Sequence, residues 1–155
     1  MASYLADTNI LLRLADTPSP QNPIAAHAVA GLVEQRHEVF ITAQNIIEFW
    51  SVATRPRDSN GFGWTCERTR AEVHGVLEKF PLLQEAPEIF LQWVRLVETI
   101  PVTGKRVHDA RLVAVLKTHG VDHLLTFNSG DFALFTDISI VDPRRLAATP
   151  ESFRG

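Results

Sequence analysis

Short apolar runs alternate along the chain with longer segments in which apolar residues recur every three or four positions. The short runs predict five strands, at residues 4–6, 39–41, 81–85, 123–127 and 139–141. The longer segments predict helices, the first from residue 10 and the others at 24–36, 43–53, 65–79, 87–97 and 107–118. Strands that alternate with helices form parallel sheets covered on both faces. The pattern therefore predicts an α/β fold.

Residues that break both periodicities mark the connections. A proline-rich break at 17–23 follows the first helix, and 55–63 is predicted to be a loop. A turn is predicted at 128–132. A chain of 155 residues is long enough to bury one core. We therefore expect one domain at 1–146 and a loosely held tail at 147–155.

The first predicted strand ends in three polar residues, Asp7, Thr8 and Asn9, and a helical pattern begins directly after them. Open α/β sheets bind ligands at the carboxyl ends of their strands, so these side chains are expected to face a binding site. A structural role also fits, because Thr8 or Asn9 is a good helix N-cap and Asp7 a good turn former. The motif alone leaves both interpretations open.

Three further acids occupy similar settings. Glu48 lies among apolar neighbours in I-I-E-F-W, where an unpaired carboxylate is costly to bury. Asp109 continues the apolar face of the helix predicted at 107–118, and Asp131 follows a predicted buried strand. The alternatives are an ion pair for Glu48, an N-terminal cap for Asp109 and a turn for Asp131. The occurrence of all four acids favours a common site.

The composition is that of an ordinary globular protein, with 45% hydrophobic and 21% charged residues. A net charge of −3 argues against nucleic-acid binding through bulk basicity, although a metal ion could neutralise an acidic site. The single cysteine, Cys66, allows no internal disulfide, and no apolar stretch has the length of a membrane span. We therefore expect a cytoplasmic protein without membrane contact.

Four segments together resemble the PIN domains, and most of all the VapC-like toxins of bacterial toxin–antitoxin modules. The segments are L-A-D-T-N-I-L-L, E-F-W-S-V-A-T-R-P, H-D-A-R-L-V-A-V-L and L-L-T-F-N-S-G-D-F, and they follow the family's order between residues 5 and 132. The resemblance implies a three-layer α/β/α sandwich with a central, mostly parallel sheet. It also implies a Mg²⁺- or Mn²⁺-dependent ribonuclease toxin that forms a homodimer and has RNA and an antitoxin protein as partners.

The resemblance assigns four acids as catalytic residues and metal ligands, namely Asp7, Glu48, Asp109 and Asp131. Three polar residues are expected to support them, namely Asn9, Thr126 and Asn128. Asn128 stands where some relatives carry an acid, so either Asn128 or Asp131 fills the fourth position. Hard divalent cations prefer oxygen ligands and activate water toward a phosphodiester. The chemistry then requires no His, Ser or Cys nucleophile.

Contacts to the RNA phosphates are predicted at basic residues around the site. The candidates are Arg13, Arg55, Arg57 and Arg111, together with Lys105 and Arg106. Phe62 and Trp64, next to the predicted loop, either stack on a single-stranded base or pack into the core, and we favour the second alternative. His108 is expected to be a surface neighbour of Asp109.

Two other classes of protein with an acid at a strand end are disfavoured. A phosphatase of the haloacid dehalogenase type needs a second acid where Asn9 stands, and a response-regulator receiver needs an acid where the middle strand ends in Thr42. A non-catalytic PIN-like module that binds RNA or protein remains the alternative to a nuclease. Such a module has no need to gather four mutually repelling carboxylates, which favours the enzyme.

Overall fold

A parallel four-stranded sheet forms the centre of the protein. The computed structural model describes residues 1–147. Within them the strands are β1 (Ser3–Ala6), β2 (Glu38–Phe40), β3 (His123–Leu125) and β4 (Ser139–Val141). Their order in the sheet is β2-β1-β3-β4, and every neighbouring pair is parallel. The predicted α/β fold with a parallel sheet is confirmed.

Seven α-helices surround the sheet within residues 1–147. They are α1 (Thr8–Ala15), α2 (Asn22–Glu34), α3 (Ala43–Thr54), α4 (Cys66–Lys79), α5 (Pro87–Thr99), α6 (Arg106–Thr118) and α7 (Pro143–Ala147). Single 3₁₀ turns lie at Arg57–Ser59 and Ser129–Phe132. The side chains of Asp7, Thr42 and Thr65 cap α1, α3 and α4 by accepting backbone hydrogen bonds. None of these seven helices is long and apolar enough to cross a bilayer.

Each face of the sheet is covered by its own apolar core, because successive residues of a strand point to opposite faces. On one face, Tyr4 and Ala6 of β1 belong to a core with residues of α1, α2, α3 and α4, among them the fully buried Phe49. On the other face, Leu5 belongs to a core with residues of α5 and α6. The protein is thus a three-layer α/β/α sandwich, as the resemblance implies.

The carboxyl ends of β1 and β3 lie at the point where the chain direction switches between the two faces. After β1 the chain turns into α1 on one face. After β3 it turns to the other face, where Phe132 packs in the core that contains α6. Connections that diverge in this way from neighbouring strands leave a crevice between them, and ligands of open α/β sheets bind there.

Residues 81–85 do not form the predicted strand. Leu82 makes one isolated parallel bridge to Ile41, next to β2. Pro81 has no amide hydrogen and cannot donate to a longer ladder. The segment is therefore an irregular connection that leads into α5.

The carboxyl-terminal elements also differ from the prediction. β3 ends two residues earlier than expected. The amide of Thr126 still donates to the carbonyl of Val141 at 3.0 Å, but the amide of Phe127 donates to the side chain of Asn9 at 3.2 Å and ends the pairing. The sequence pattern does not predict α7, which begins at Pro143 and contacts α2. Apart from Ala147, the predicted tail at 147–155 lies outside the described residues, so its boundary stays a prediction.

Two positions of α3, one buried and one exposed, test the orientation of this helix. Phe49 is fully buried, whereas Ile47 is 69% exposed. We expect Phe49→Ala to lower the free energy of unfolding by about 3–5 kcal/mol, because it leaves a cavity in the core. Ile47→Ala should lower it by less than about 1 kcal/mol. Urea denaturation measures both values, and equal losses would contradict the orientation of α3.

Candidate active site

A cavity of about 830 Å³ opens at the carboxyl ends of β1 and β3. We call it the acidic cavity, because all four predicted acids line it, namely Asp7, Glu48, Asp109 and Asp131. The first acid follows β1, the second lies on α3, the third in the first turn of α6 and the fourth in the 3₁₀ turn after β3. The fold therefore brings together acids that are far apart in the sequence.

Three donors hold the carboxylate of Asp7 in one orientation. Oδ1 accepts a hydrogen bond from the amide of Thr8 at 2.8 Å. Oδ2 accepts from the hydroxyl of Thr126 at 2.8 Å and from Asn9 Nδ2 at 3.2 Å. The amide of Asp7 donates to the carbonyl of Leu125 at 2.9 Å, which ties this residue to the end of β3. Asp7 is thus fixed by the protein itself.

Thr126 is the centre of the hydrogen-bond network around Asp7 and is completely buried. Its hydroxyl donates to Asp7 and accepts from Asn9 Nδ2 and from the amide of Asn128, both at 3.0 Å. Two of the predicted supporting residues, Asn9 and Thr126, therefore contact Asp7 directly. The third, Asn128, contributes its amide to the network and lines the acidic cavity.

Polar residues of α3 and α1 position Glu48. The polar side chains of Gln44 and Thr8 act on its carboxylate and lower the pKa of Glu48. Gln44 Nε2 also donates to the carbonyl of His108 at 2.8 Å, which joins α3 to the start of α6. The fully buried Asn45 donates from Nδ2 to the hydroxyl of Thr8 at 3.1 Å. Thr8 therefore donates to Asp7 through its amide, and its side chain lowers the pKa of Glu48.

Asp109 and Asp131 share one cationic partner. Arg106 donates from Nη1 to Asp109 Oδ2 at 3.1 Å and from Nη2 to Asp131 Oδ1 at 2.9 Å. All three side chains remain partly accessible to solvent. By contrast, Asp7 and Glu48 take part in none of the ion pairs found among residues 1–147.

Burial makes the charged form of Asp7 unfavourable. The pKa of Asp7 is raised from 3.8 to about 6; desolvation is the largest cause, and the charges of Glu48 and Asp109 contribute to the rise. The hydrogen bonds from Thr126 and Thr8 act in the opposite direction and lower the pKa. The network therefore stabilises the carboxylate only in part.

The pKa values of Glu48 and Asp109 are shifted in the same direction. Burial is again the largest cause, and it raises the pKa of both groups. The charge of Asp109 adds to the rise in the pKa of Glu48, and the charge of Asp131 adds to the rise in the pKa of Asp109. The hydrogen bond from Arg106 lowers the pKa of Asp109. A cation bound in the cavity would favour the charged forms of all these groups.

The donor atoms of the acidic cavity suit a hard divalent cation. Its candidate ligands are carboxylate and amide oxygens, which Mg²⁺ and Mn²⁺ prefer. In the part of the chain that the structure describes, no three His, Cys, Asp or Glu side chains lie close enough together to hold a metal ion. Mg²⁺ typically takes only one or two carboxylates and completes its shell with water and substrate oxygens. The residues therefore fit such an ion by their chemistry.

Only one of the four predicted substrate-binding arginines lines the acidic cavity. Arg111 does so, and its Nη2 donates to both carboxylate oxygens of Glu85, at 3.0 and 3.2 Å. Lys105, Arg106 and His108 line the cavity as well. His108 is exposed, as expected for a surface neighbour of the site.

The other three predicted arginines do not line the acidic cavity. Their side chains donate hydrogen bonds elsewhere. Arg13 donates to the side chain of Asp16 at 3.0 Å, Arg55 to the hydroxyl of Ser51 at 3.4 Å, and Arg57 to the carbonyl of Phe62 at 3.3 Å. α1 begins at the cavity and carries Arg13 toward its other end. Arg55 and Arg57 follow the last turn of α3, beyond the residues of that helix that face the cavity.

Phe62 and Trp64 pack against the protein. Both join the core on the α1 face of the sheet. The ring centroids of Trp64 and Phe49 are 6.1 Å apart, and the guanidinium of Arg68 lies 4.1 Å from the centroid of Trp64. The structure thus corresponds to the core-packed alternative for these two aromatic residues.

Gln44 and Asn45 belong to the site although the sequence pattern does not single them out. Asn45 is the third residue of a helix capped by Thr42, and the two form a reciprocal capping box. Its spacing of three residues from Thr42, as in a capping box, is the signal that could have identified Asn45. No sequence signal distinguishes Gln44 from a surface residue, because its contacts with Glu48 and α6 depend on how the helices pack.

Comparison with known proteins places these features in a family. Residues 4–136 match the PIN domain model. Ribonuclease VapC24 of Mycobacterium tuberculosis is 32% identical over 145 residues, which cover 88% of this chain and 94% of that protein.

Solved structures share the fold. VapBC2 from Rickettsia felis, bound to a DNA fragment from its promoter, has a TM-score of 0.71 at 11% identity, with coverage of 90% of this chain and 98% of that chain. VapBC-1 from nontypeable Haemophilus influenzae has a TM-score of 0.68 at 19% identity, with coverage of 91% and 98%. Because the family model and a relative above 30% identity both span most of its length, this chain belongs to the PIN domain family.

Proposed function

We propose that this protein is a metal-dependent endoribonuclease that acts as the toxin of a toxin–antitoxin pair. The observation that carries the proposal is the convergence of four acids on one cavity at the carboxyl ends of β1 and β3. The similarity to a protein named Ribonuclease VapC24 supports RNA as the substrate.

Mg²⁺ or Mn²⁺ is the proposed cofactor. Asp7, Glu48 and Asp109 would hold the principal ion, and Asp131 or Asn128 would fill the fourth position. Such an ion supplies an activated water and stabilises negative charge on the phosphoryl oxygens. The raised pKa values of Asp7, Glu48 and Asp109 support the proposal, because groups that repel one another in a partly buried cavity bind a cation favourably.

The chain's own residues fix the ligands and hold the substrate. Thr8, Asn9 and Thr126 keep Asp7 in place, so little reorganisation is needed when a ligand binds. Lys105 and Arg111 lie at the cavity, where their side chains can meet RNA phosphates. With a net charge of −3, the protein has to attract RNA through such local charges.

The proposed protein partner is an antitoxin. Structures with this fold include VapBC complexes from several bacteria, which supports the proposal. A basic side chain of the antitoxin would meet the carboxylates of Asp7 and Glu48, which form no ion pair within residues 1–147. A homodimer and a cytoplasmic location complete the proposal.

A non-catalytic module that binds RNA or protein is the competing function. The lack of a ready coordination sphere among the described residues favours it. The three hydrogen bonds that orient Asp7 favour the enzyme, because a binding module gains nothing from a fixed carboxylate among other acids. RNA cleavage that requires Mg²⁺ or Mn²⁺ and stops when a chelator is added would distinguish the two.

Asp7→Asn tests the catalytic role directly. We expect this variant to lose metal-dependent RNA cleavage by roughly 100-fold or more, because it removes the charge of a principal metal ligand. Circular dichroism should show an unchanged fold, since the amide occupies the same volume. Asp58→Asn, at an exposed position outside the cavity, is the matched control. Full activity of Asp7→Asn in Mg²⁺ would contradict the proposal.

The stability of the protein in chelator should fall as the pH rises through the pKa of Asp7. This pKa is about 6 in the folded protein and 3.8 as its ordinary value, so folding favours the protonated form. The free-energy cost of burying the charged Asp7 carboxylate is therefore absent below about pH 4 and complete above about pH 6. Between pH 5 and pH 7.5 we expect Asp7 to lower the free energy of unfolding by about 1 kcal/mol.

Urea denaturation at the two pH values, for the wild type and Asp7→Asn, isolates this contribution. The loss between pH 5 and pH 7.5 should be smaller in the variant. Addition of Mn²⁺ at pH 7.5 should restore the stability of the wild type and have less effect on the variant. An identical pH dependence in both proteins would show that Asp7 is not a buried, repelled carboxylate.

A further inference from the structure

Arg106 already acts as a cation toward two of the four acids. Its Nη1 lies 3.1 Å from Asp109 Oδ2, and its Nη2 lies 2.9 Å from Asp131 Oδ1. The two acids belong to different segments, α6 and the turn at Ser129–Phe132, and the guanidinium joins them. A carboxylate oxygen that accepts from the guanidinium in this way is not directed at a metal ion.

This bridge bears on the spacing of the acids in the acidic cavity. The four acids line one cavity, yet no three of them lie close enough to hold a metal ion as they stand. Asp109 and Asp131 lie on either side of a planar guanidinium, which uses one oxygen of each. Opening the bridge frees both oxygens for another cation.

We infer that Arg106 is a built-in cation of the acidic cavity, which Asp109 and Asp131 exchange for the divalent ion, and that this exchange releases its guanidinium to bind an RNA phosphate. The inference rests on the metal site of the proposed function. It adds a residue with two alternative partners, carboxylates in one state of the site and a phosphate in the other.

Exposure and chemistry make the exchange feasible. The side chain of Arg106 is 38% exposed and that of Asp131 35% exposed, and ion pairs with this exposure are individually weak. A guanidinium binds phosphate and carboxylate with the same planar, two-pronged geometry. The group released from Asp109 and Asp131 therefore finds an equivalent partner in the RNA backbone.

Lys105 provides a matched control for the charge of Arg106. It is the preceding residue, it lines the same cavity, and its charge lowers the pKa of Asp109. Within residues 1–147 it forms no ion pair. Replacing Lys105 removes the same unit of charge without opening the bridge.

The test compares Arg106→Ala, Arg106→Lys and Lys105→Ala in the full chain. Calorimetric titration with Mn²⁺ alone gives the dissociation constant of the ion, and RNA cleavage at saturating Mn²⁺ gives KM. We expect Arg106→Ala to bind Mn²⁺ roughly 5- to 10-fold more tightly, because no bridge has to be broken, and to raise KM by a similar factor. Arg106→Lys should give intermediate values of the Mn²⁺ dissociation constant and of KM, because one ammonium group cannot bridge both carboxylates as the guanidinium does. Lys105→Ala should change the Mn²⁺ affinity by less than about twofold.

Tighter binding of Mn²⁺ together with a higher KM for RNA in Arg106→Ala is the diagnostic result, since a damaged fold would weaken the binding of both ligands. Mn²⁺ binding that is not tightened in Arg106→Ala, or a KM that does not rise, overturns the exchange. Equal tightening in Lys105→Ala also overturns it, because the charge alone would then explain the effect. In each of these cases the wild type still binds Mn²⁺ and cleaves RNA. A wild type that does neither would refute the proposed function itself, and the inference with it.

Discussion

The repulsion between carboxylates in a partly dehydrated cavity is the interaction on which the rest of the site depends. Asp7, Glu48 and Asp109 each lose hydration and each lie within reach of another negative charge, so the pKa of all three is raised. Without a compensating arrangement, such groups take up protons or move apart. The protein opposes both effects in part, because neutral donors fix the carboxylate of Asp7 and Arg106 lies between Asp109 and Asp131.

The sheet and its two cores make this arrangement rigid. Thr126 is fully buried next to the end of β3, and Asn45 is fully buried in the first turn of α3. Thr126 donates directly to Asp7. Asn45 donates to the hydroxyl of Thr8, whose side chain lowers the pKa of Glu48. Hydrogen bonds to charged groups contribute about 1.5–3 kcal/mol each. A few such bonds are enough to oppose the repulsion, and their donors cannot move without disturbing a close-packed core.

The sequence identifies the acids because their settings follow from local pattern. Asp7 ends a strand, and Asp109 continues the apolar face of a helix, so both can be placed before the structure is known. Glu48 is conspicuous because it interrupts an apolar segment. The parallel sheet and the order of the elements follow from the alternation of strands and helices for the same reason. These features depend on residues close in sequence, where periodicity carries the information.

The features that the sequence does not reveal depend on contacts between distant elements. The pattern treats Arg13 and Arg106 alike, but one lies at the far end of α1 and the other between two acids. Gln44 gains its role only because α3 and α6 meet at the carbonyl of His108. The segment at 81–85 has the composition of a strand, yet it makes only one bridge. Side-chain partners and edge pairing are set by packing, which a one-dimensional pattern does not contain.

The basic residues at the cavity complete the electrostatic picture. Of its three lysine and arginine residues, Arg106 and Arg111 are paired with acids of the same chain. Their charge is therefore compensated locally, and the protein as a whole is acidic. Attraction of a polyanion such as RNA requires uncompensated positive charge at the site of binding. A divalent cation in the acidic cavity would supply that charge itself and would also weaken the hold of Asp109 and Asp131 on Arg106. Under the proposed function, binding of the ion and binding of the substrate would for this reason be coupled through the carboxylates of the acidic cavity.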